Sequence, residues 1–232
     1  MITIRRAEDR GATDFGWLDS RHTFSFGDYH DPEQMGFRAL RVINDDRVAG
    51  GSGFPRHGHR DIEILSWVLE GGLAHEDSLG TGSTIRPGDL QKMSAGTGVL
   101  HSEFNASRTE LAHFLQIWIL PERPGLPATY DQKHFEESQR RGVFRRIASG
   151  SPAAGEVKIF QDVDLHTALL AAGEAVEHRL AASRHAWLHV ARGAVALNGR
   201  PLVEGDGAAI SEEARLSIAA SAPSEILLFD LA

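Results

Sequence analysis

Gly51-Ser52-Gly53-Phe54-Pro55-Arg56-His57-Gly58-His59-Arg60-Asp61-Ile62-Glu63 opens a stretch that closes on Gly96-Thr97-Gly98-Val99-Leu100-His101-Ser102-Glu103. Each end carries two metal-competent side chains spaced two apart. On a β-strand, residues i and i+2 point to the same face. His57 and His59 therefore reach one point in space, and so do His101 and Glu103. Laid side by side across a barrel, the two strands bring three imidazoles and one carboxylate together. That donor set suits iron, copper, nickel, manganese or zinc. The chain has 12 histidines, so a lone His-x-His is a weak signal. Glu63, the Gly88-Asp89 turn and the second pair behind Gly96-Thr97-Gly98 make the order far more specific. The same spacing leaves a second carboxylate open, because Glu63 keeps the parity of His57 and His59.

Outward from this stretch the chain reads as short strands punctuated by turns. Phe37-Arg38-Ala39-Leu40-Arg41-Val42-Ile43 is expected to be a strand ending at a turn, Asn44-Asp45-Asp46-Arg47. In His22-Thr23-Phe24-Ser25-Phe26-Gly27 the alternation puts Thr23 and Ser25 on one face and the two phenylalanines on the other, toward a core. Ile62–Leu69 and the long apolar run Leu111–Leu120 are strands, the latter buried. Arg86-Pro87-Gly88-Asp89 has proline and glycine where turn geometry wants them. Many short strands with glycine and proline turns indicate a sandwich or barrel. Pro121-Glu122-Arg123-Pro124-Gly125-Leu126-Pro127 and the charged stretch Lys133–Arg141 read as a connection between domains. Gly150–Gly155 reads as an exposed loop, and Asp164–Ala172 is open between helix and strand. Asn198-Gly199 marks a hairpin, and Glu225–Asp230 is a buried strand.

The totals narrow the classes of function. With 24 basic against 32 acidic residues and a net charge of -8, the chain is not built to grip a nucleic-acid backbone. There are no cysteines, so any metal is held by nitrogen and oxygen. The N-terminus is charged from the start and lacks the apolar core of a secretory signal. No apolar run approaches the roughly 20 residues of a membrane-crossing helix. The expected location is the cytoplasm.

A faint repeat runs through the chain. Trp67-Val68-Leu69-Glu70-Gly71 aligns with His189-Val190-Ala191-Arg192-Gly193, and Gly88-Asp89 then falls against Gly205-Asp206. Two copies of one β-unit are expected. The same offsets carry His57 to Arg179, His59 to Ala181, His101 to Ile218 and Glu103 to Ala220, so the second copy lacks the ligand set. His178 and His185 read as surface or structural.

These residues resemble the cupin superfamily: Gly51-x5-His57-x-His59-x3-Glu63, then Gly88-Asp89, then His101. Phe54-Pro55-x-His57-x-His59-Arg60, Leu69-Glu70-Gly71, Ala74-His75-Glu76-Asp77-Ser78 and Pro87-Gly88-Asp89 through His101-Ser102-Glu103 are similar to the pirin family. Gly16-Trp17-Leu18-Asp19-Ser20 and His22–Phe26 resemble its bacterial members, the pirin-like quercetin 2,3-dioxygenases. The resemblance spans nearly the whole chain and is faint after residue 150. It implies an all-β bicupin, two jelly-roll barrels in one chain. Residues 1–130 would carry the metal barrel and residues 131–232 a degenerate barrel without ligands.

The resemblance also implies the ligands His57, His59, His101 and Glu103, most commonly around iron. It makes Glu103 the carboxylate rather than Glu63, which would then orient an imidazole, as metal-bound histidines usually require. His75 and His113 are candidates for the same outer shell, with a plain structural role the alternative. The implied activity is cleavage of a flavonol or related phenol with dioxygen and loss of carbon monoxide, Glu103 serving also as base. The other activity the family implies is a metal-dependent regulatory protein acting through protein partners. Arg140, Arg141, Arg145 and Arg146 would offer such a partner a basic rim, with a solvated face, the usual role of such a run, the alternative. Two barrels in one chain can replace the dimer of single-domain cupins, so a monomer is expected.

Overall fold

The computed structural model describes all 232 residues; its regular elements are strands and two single 3-10 turns, without an α-helix. No helix is long and apolar enough to cross a membrane. Numbered along the chain, the first strands are β1 (Ile2–Arg5), β2 (Gly11–Asp14), β3 (Leu18–His22), β4 (Leu40–Val48), β5 (Gly53–His59) and β6 (Glu63–Glu70). They continue with β7 (Leu73–Asp77), β8 (Gly82–Ile85), β9 (Asp89–Ser94), β10 (Val99–Asn105), β11 (Ala112–Ile119) and β12 (Thr129–His134). The chain forms two compact units. One comprises Gly11–His134 with the returning segment Val157–Gln161; the other comprises Phe135–Glu156, Asp162–Ala232 and the first ten residues, Met1–Arg10. The sequence division places that opening segment with the N-terminal barrel. In the structure β1 pairs instead with Gly207–Ile210, where Ile2 joins the C-terminal core.

Each unit is a jelly roll of two antiparallel sheets. In the N-terminal unit the larger sheet runs β12-β9-β6-β11-β4-β3-β2 and the smaller β5-β10-β7-β8. In the C-terminal unit the smaller sheet repeats this order: Ala175–Arg179, Arg215–Ala220, Ala194–Leu197 and Arg200–Val203. The repeat extends to single hydrogen bonds. Asp89 Oδ2 accepts from the Arg86 N–H at 2.9 Å, and Asp206 Oδ2 accepts from the Val203 N–H at 3.1 Å. Gly71 and Gly193 both turn with positive φ, 74° and 84°. A Cβ on Gly71 would lie 2.6 Å from the Leu111 carbonyl oxygen, and one on Gly193 would run into that of Pro223. Gly71→Ala and Gly193→Ala are each expected to cost about 2 kcal/mol or more, from left-handed backbone strain plus a clash with rigid sheet. Urea unfolding of each variant checks this.

Three expectations are corrected here. Asn44-Asp45-Asp46-Arg47 is not a turn but continues β4, with Asn44, Asp45 and Asp46 buried. The polar side chains that mimic a turn signal are satisfied inside the sheet: Asn44 by His22, Asp46 by Ser20, and Asp45 by His113 and Arg47. Strand β3 ends at His22, and Thr23, Phe24 and Ser25 are all buried rather than alternating between core and solvent.

The arginine run is not a free basic rim. Arg140 is buried and bonded to Glu225 and the Phe135 carbonyl. Arg141 pairs with Glu137, Arg146 pairs with Glu156 and Asp164, and Arg145 lies over the Phe135 ring. The open segment after Asp164 is strand, Val163–Leu170.

Candidate metal centre

Strand β10 inverts the usual alternation. Val99, His101, Glu103 and Asn105 are buried, while Leu100 and Phe104 on the other face are 46% and 41% exposed. Burying polar groups costs stability unless hydrogen bonds or a coordinated metal satisfy them, so this inversion marks a site. On one side of β10, His101 registers with His57 of β5 and Val99 with His59; a bulge then brings Glu103 opposite Phe54. On the other side, His101 registers with Asp77 and Glu103 with His75.

The cluster this builds is tight. His57 Nε2 and His101 Nε2 lie 3.0 Å apart. Ring centroids are 4.4 Å apart for His57–His101, 4.8 Å for His57–His59 and 4.9 Å for His59–His101. Donor atoms of His57, His59 and His101 all lie within 4.8 Å of one another, as do those of His75, His101 and Glu103. Two nitrogens bound about 2.1 Å from one ion at right angles are separated by about 3.0 Å, so the His57–His101 spacing fits shared coordination. His57 Nδ1 donates to the Pro55 carbonyl at 2.8 Å. This holds the tautomer whose Nε2 lone pair faces His101, the outer bond that ligating histidines usually have. The residues present thus fit a divalent ion.

The electrostatics favour ligand-competent forms. Burial, helped by His57, His59 and His75, pushes His101 down to about 2, and burial with His57 pushes His59 down to about 4. Both are neutral at pH 7, as ligands must be. Burial drives the Glu103 carboxyl up to about 7, against bonds from Gln116 Nε2 at 2.8 Å and Ser66 Oγ at 3.3 Å. A bound cation would pull it back to the carboxylate.

Glu63 has a different job from the one expected. Its Oε2 accepts from Ser94 Oγ at 2.9 Å and from the Phe160 N–H at 3.2 Å, and it orients no imidazole. Asp61, with φ 51°, turns the chain between β5 and β6, so the parity of His57 and His59 does not carry through to Glu63. His113 is structural, its Nε2 2.7 Å from Asp45 Oδ1. His75 Nε2 lies 3.0 Å from Asp77 Oδ2, beside the cluster. In the C-terminal unit, Ile218 and Ala220 are buried where the repeat puts His101 and Glu103. The strand matching β5 slips by one residue: His178 and Leu180 face inward rather than Arg179 and Ala181. His178 Nε2 meets Asp230 Oδ2 at 2.8 Å, and His185 Nδ1 meets Ser211 Oγ at 2.7 Å.

The cluster opens into a cavity of about 200 Å³. His57, His59 and Glu103 form one corner, and Phe15, Leu18, Phe26, Phe54, Ile64 and Trp118 supply apolar walls. Sequence reasoning missed a further wall: Ser20 and His22 from β3, and Asn44 and Asp46 from β4. It also missed Ser66 and Gln116, which hold Glu103. The available signal was a polar residue inside an otherwise apolar strand, Ser66 in β6 and Gln116 in β11.

The pirin family model matches residues 4–119, and the model of the quercetinase C-terminal cupin domain matches residues 146–231. The chain belongs to the pirin family. A quercetin 2,3-dioxygenase of Escherichia coli is 46% identical over 231 residues, covering 100% of this chain and 99% of that protein. A pirin-like protein of Caulobacter vibrioides is 40% identical, covering 100% of both. The crystal structure of the bacterial pirin YhhW of Escherichia coli in complex with nickel(II) superposes with a TM-score of 0.94 at 46% identity. It covers 100% of this chain and 99% of that one. As a pirin the chain is an all-β bicupin, with a histidine and glutamate cluster suited to one divalent ion.

Proposed function

We propose that this pirin is a metal-dependent dioxygenase of the quercetin 2,3-dioxygenase type, cleaving a flavonol or related phenol with dioxygen. The N-terminal unit would hold one ion through His57, His59, His101 and Glu103, and the C-terminal unit none. Iron is the ion proposed, although the YhhW relative was crystallised with nickel(II). The observation that carries this reading is the opening of His57, His59 and Glu103 into one apolar, aromatic-walled cavity, in a chain 46% identical to a quercetin 2,3-dioxygenase.

A bound redox-active ion supplies a Lewis-acid position for a phenolate and access to dioxygen. The chain's own residues do the rest. Glu103, a carboxylate when the ion is bound, would take the proton of the phenolic hydroxyl. Ser66 and Gln116 hold that carboxyl in place, and Pro55 holds the His57 ring. The ring of Trp118, 5.0 Å from His59 and edge-on to it, helps exclude water. Oxygen uptake with quercetin, together with carbon monoxide release, tests the reading on metal-loaded protein. Full metal occupancy without uptake would sink it.

Metal binding should be proton-coupled. Below about pH 7 Glu103 carries a proton that the metal must displace; above it, none. Affinity therefore rises with pH toward 7 and then flattens. The Glu103 contribution is close to one proton released at about pH 6 and almost none at about pH 8.5. Calorimetry in buffers of different ionisation enthalpy reads this directly.

A further inference from the structure

The cavity has a second polar wall that the metal chemistry does not use. Asp46 is buried within it, and Ser20 donates to Asp46 Oδ1. Asp46 Oδ2 has no protein partner, although the residue lines the cavity. That oxygen opens to the cavity and is free to accept a hydrogen bond from the cavity's contents.

The surroundings are built to hold it. His22 Nδ1 lies 2.8 Å from Asn44 Oδ1 and 3.4 Å from Ser20 Oγ, and Thr13 Oγ1 lies 2.9 Å from His22 Nε2. Strands β2, β3 and β4 thus lock one hydrogen-bonded group facing the cavity. Apolar side chains, among them Leu18, Phe54, Ile64 and Trp118, share the cavity with both polar ends. None of the lining residues is Lys or Arg, while Asp28, Asp46 and Glu103 are all acidic. A negative group placed at the Asp46 wall, rather than on the ion, would meet like charge; a neutral hydroxyl there would not.

We propose that Asp46, held by Ser20, is a specificity subsite for a second hydroxyl group of the aromatic ligand, distinct from the one at the metal, selecting neutral polyphenols over aromatic carboxylates. This rests on the reading that the cavity binds a flavonol or related phenol. Asp46 here positions ligand and takes no part in bond cleavage.

The test uses zinc-loaded full-length protein, so that binding is read without turnover, with zinc content measured on every sample. Quercetin, 3-hydroxyflavone, which lacks quercetin's other hydroxyls, and 4-hydroxybenzoate are titrated by calorimetry. Wild type is expected to bind quercetin about tenfold more tightly than 3-hydroxyflavone and to bind the benzoate least. Asp46→Ala should erase the quercetin preference while leaving zinc content and 3-hydroxyflavone affinity unchanged. Ser20→Ala should reduce the preference in part, and serves if Asp46→Ala does not fold. Unchanged preference in a folded variant, or no preference in wild type, overturns the subsite but leaves the aromatic-ligand reading standing. If neither flavonol binds wild type, that reading fails and the subsite with it.

Discussion

His101→Ala is expected to empty the metal centre and abolish turnover, with the fold retained. His101 is the shared member of both donor groups in the N-terminal unit, and it sits on the central pairing of β10 with β5 and β7. Its removal takes away a whole coordination bond, whereas loss of an outer partner typically costs 10–100-fold in metal affinity. His101→Ala should therefore exceed about 100-fold, and Gln116→Ala, which frees only one oxygen of Glu103, should fall within that range. Glu103→Ala should behave like His101→Ala. Glu63→Ala should keep its metal, because Glu63 bonds Ser94 and Phe160 instead of the cluster. Metal content of tag-free protein by mass spectrometry, with chelator competition, ranks the four. Full metal in Glu103→Ala would remove it from the ligand set.

The largest stability effect away from the centre is expected at Phe114. It is fully buried among Leu18, Val48, Val68, Leu73 and Ile85, and in register with Asp46 on β4 and Val68 on β6. Phe114→Ala should cost about 3–5 kcal/mol, since transfer and cavity terms add. Phe114→Leu should cost much less. Leu18 and Phe54, packed in the same cluster, also line the cavity, so the alanine variant should weaken substrate binding as well. Trp17, Trp67 and Trp118 lie in this unit, so tryptophan fluorescence during urea unfolding, in a Trp187→Phe background, follows it alone. A loss under about 1 kcal/mol would mean that neighbouring side chains collapse into the space.

The two halves of the cavity were unequally legible. The His-x-His and His-x-Glu pairs announce themselves because period two on a strand is local, and because neighbouring strands need only pair to bring them together. The wall of Ser20, His22, Asn44 and Asp46 carries no such mark. Asn-Asp-Asp-Arg is a good turn signal by composition, yet here it is strand interior, its polar groups bonded across β3 and β11. Glu63 failed in the opposite sense. Its parity was right on an unbroken strand, and one residue with positive φ, Asp61, removed it from the site.

By itself the sequence determined an all-β chain of two related units, a metal-competent set in the first, and apolar residues at its positions Ile218 and Ala220 in the second. These follow from alternation, turn chemistry and residue type, which act over a few neighbours. Only the tertiary structure decided that β1 belongs with the C-terminal sheet, that Arg140, Arg141 and Arg146 are paired with carboxylates, and that Asp46 faces the same cavity as Glu103. Those outcomes depend on which strands become neighbours and on which buried polar groups find partners. Both are set by contacts between residues far apart in the chain.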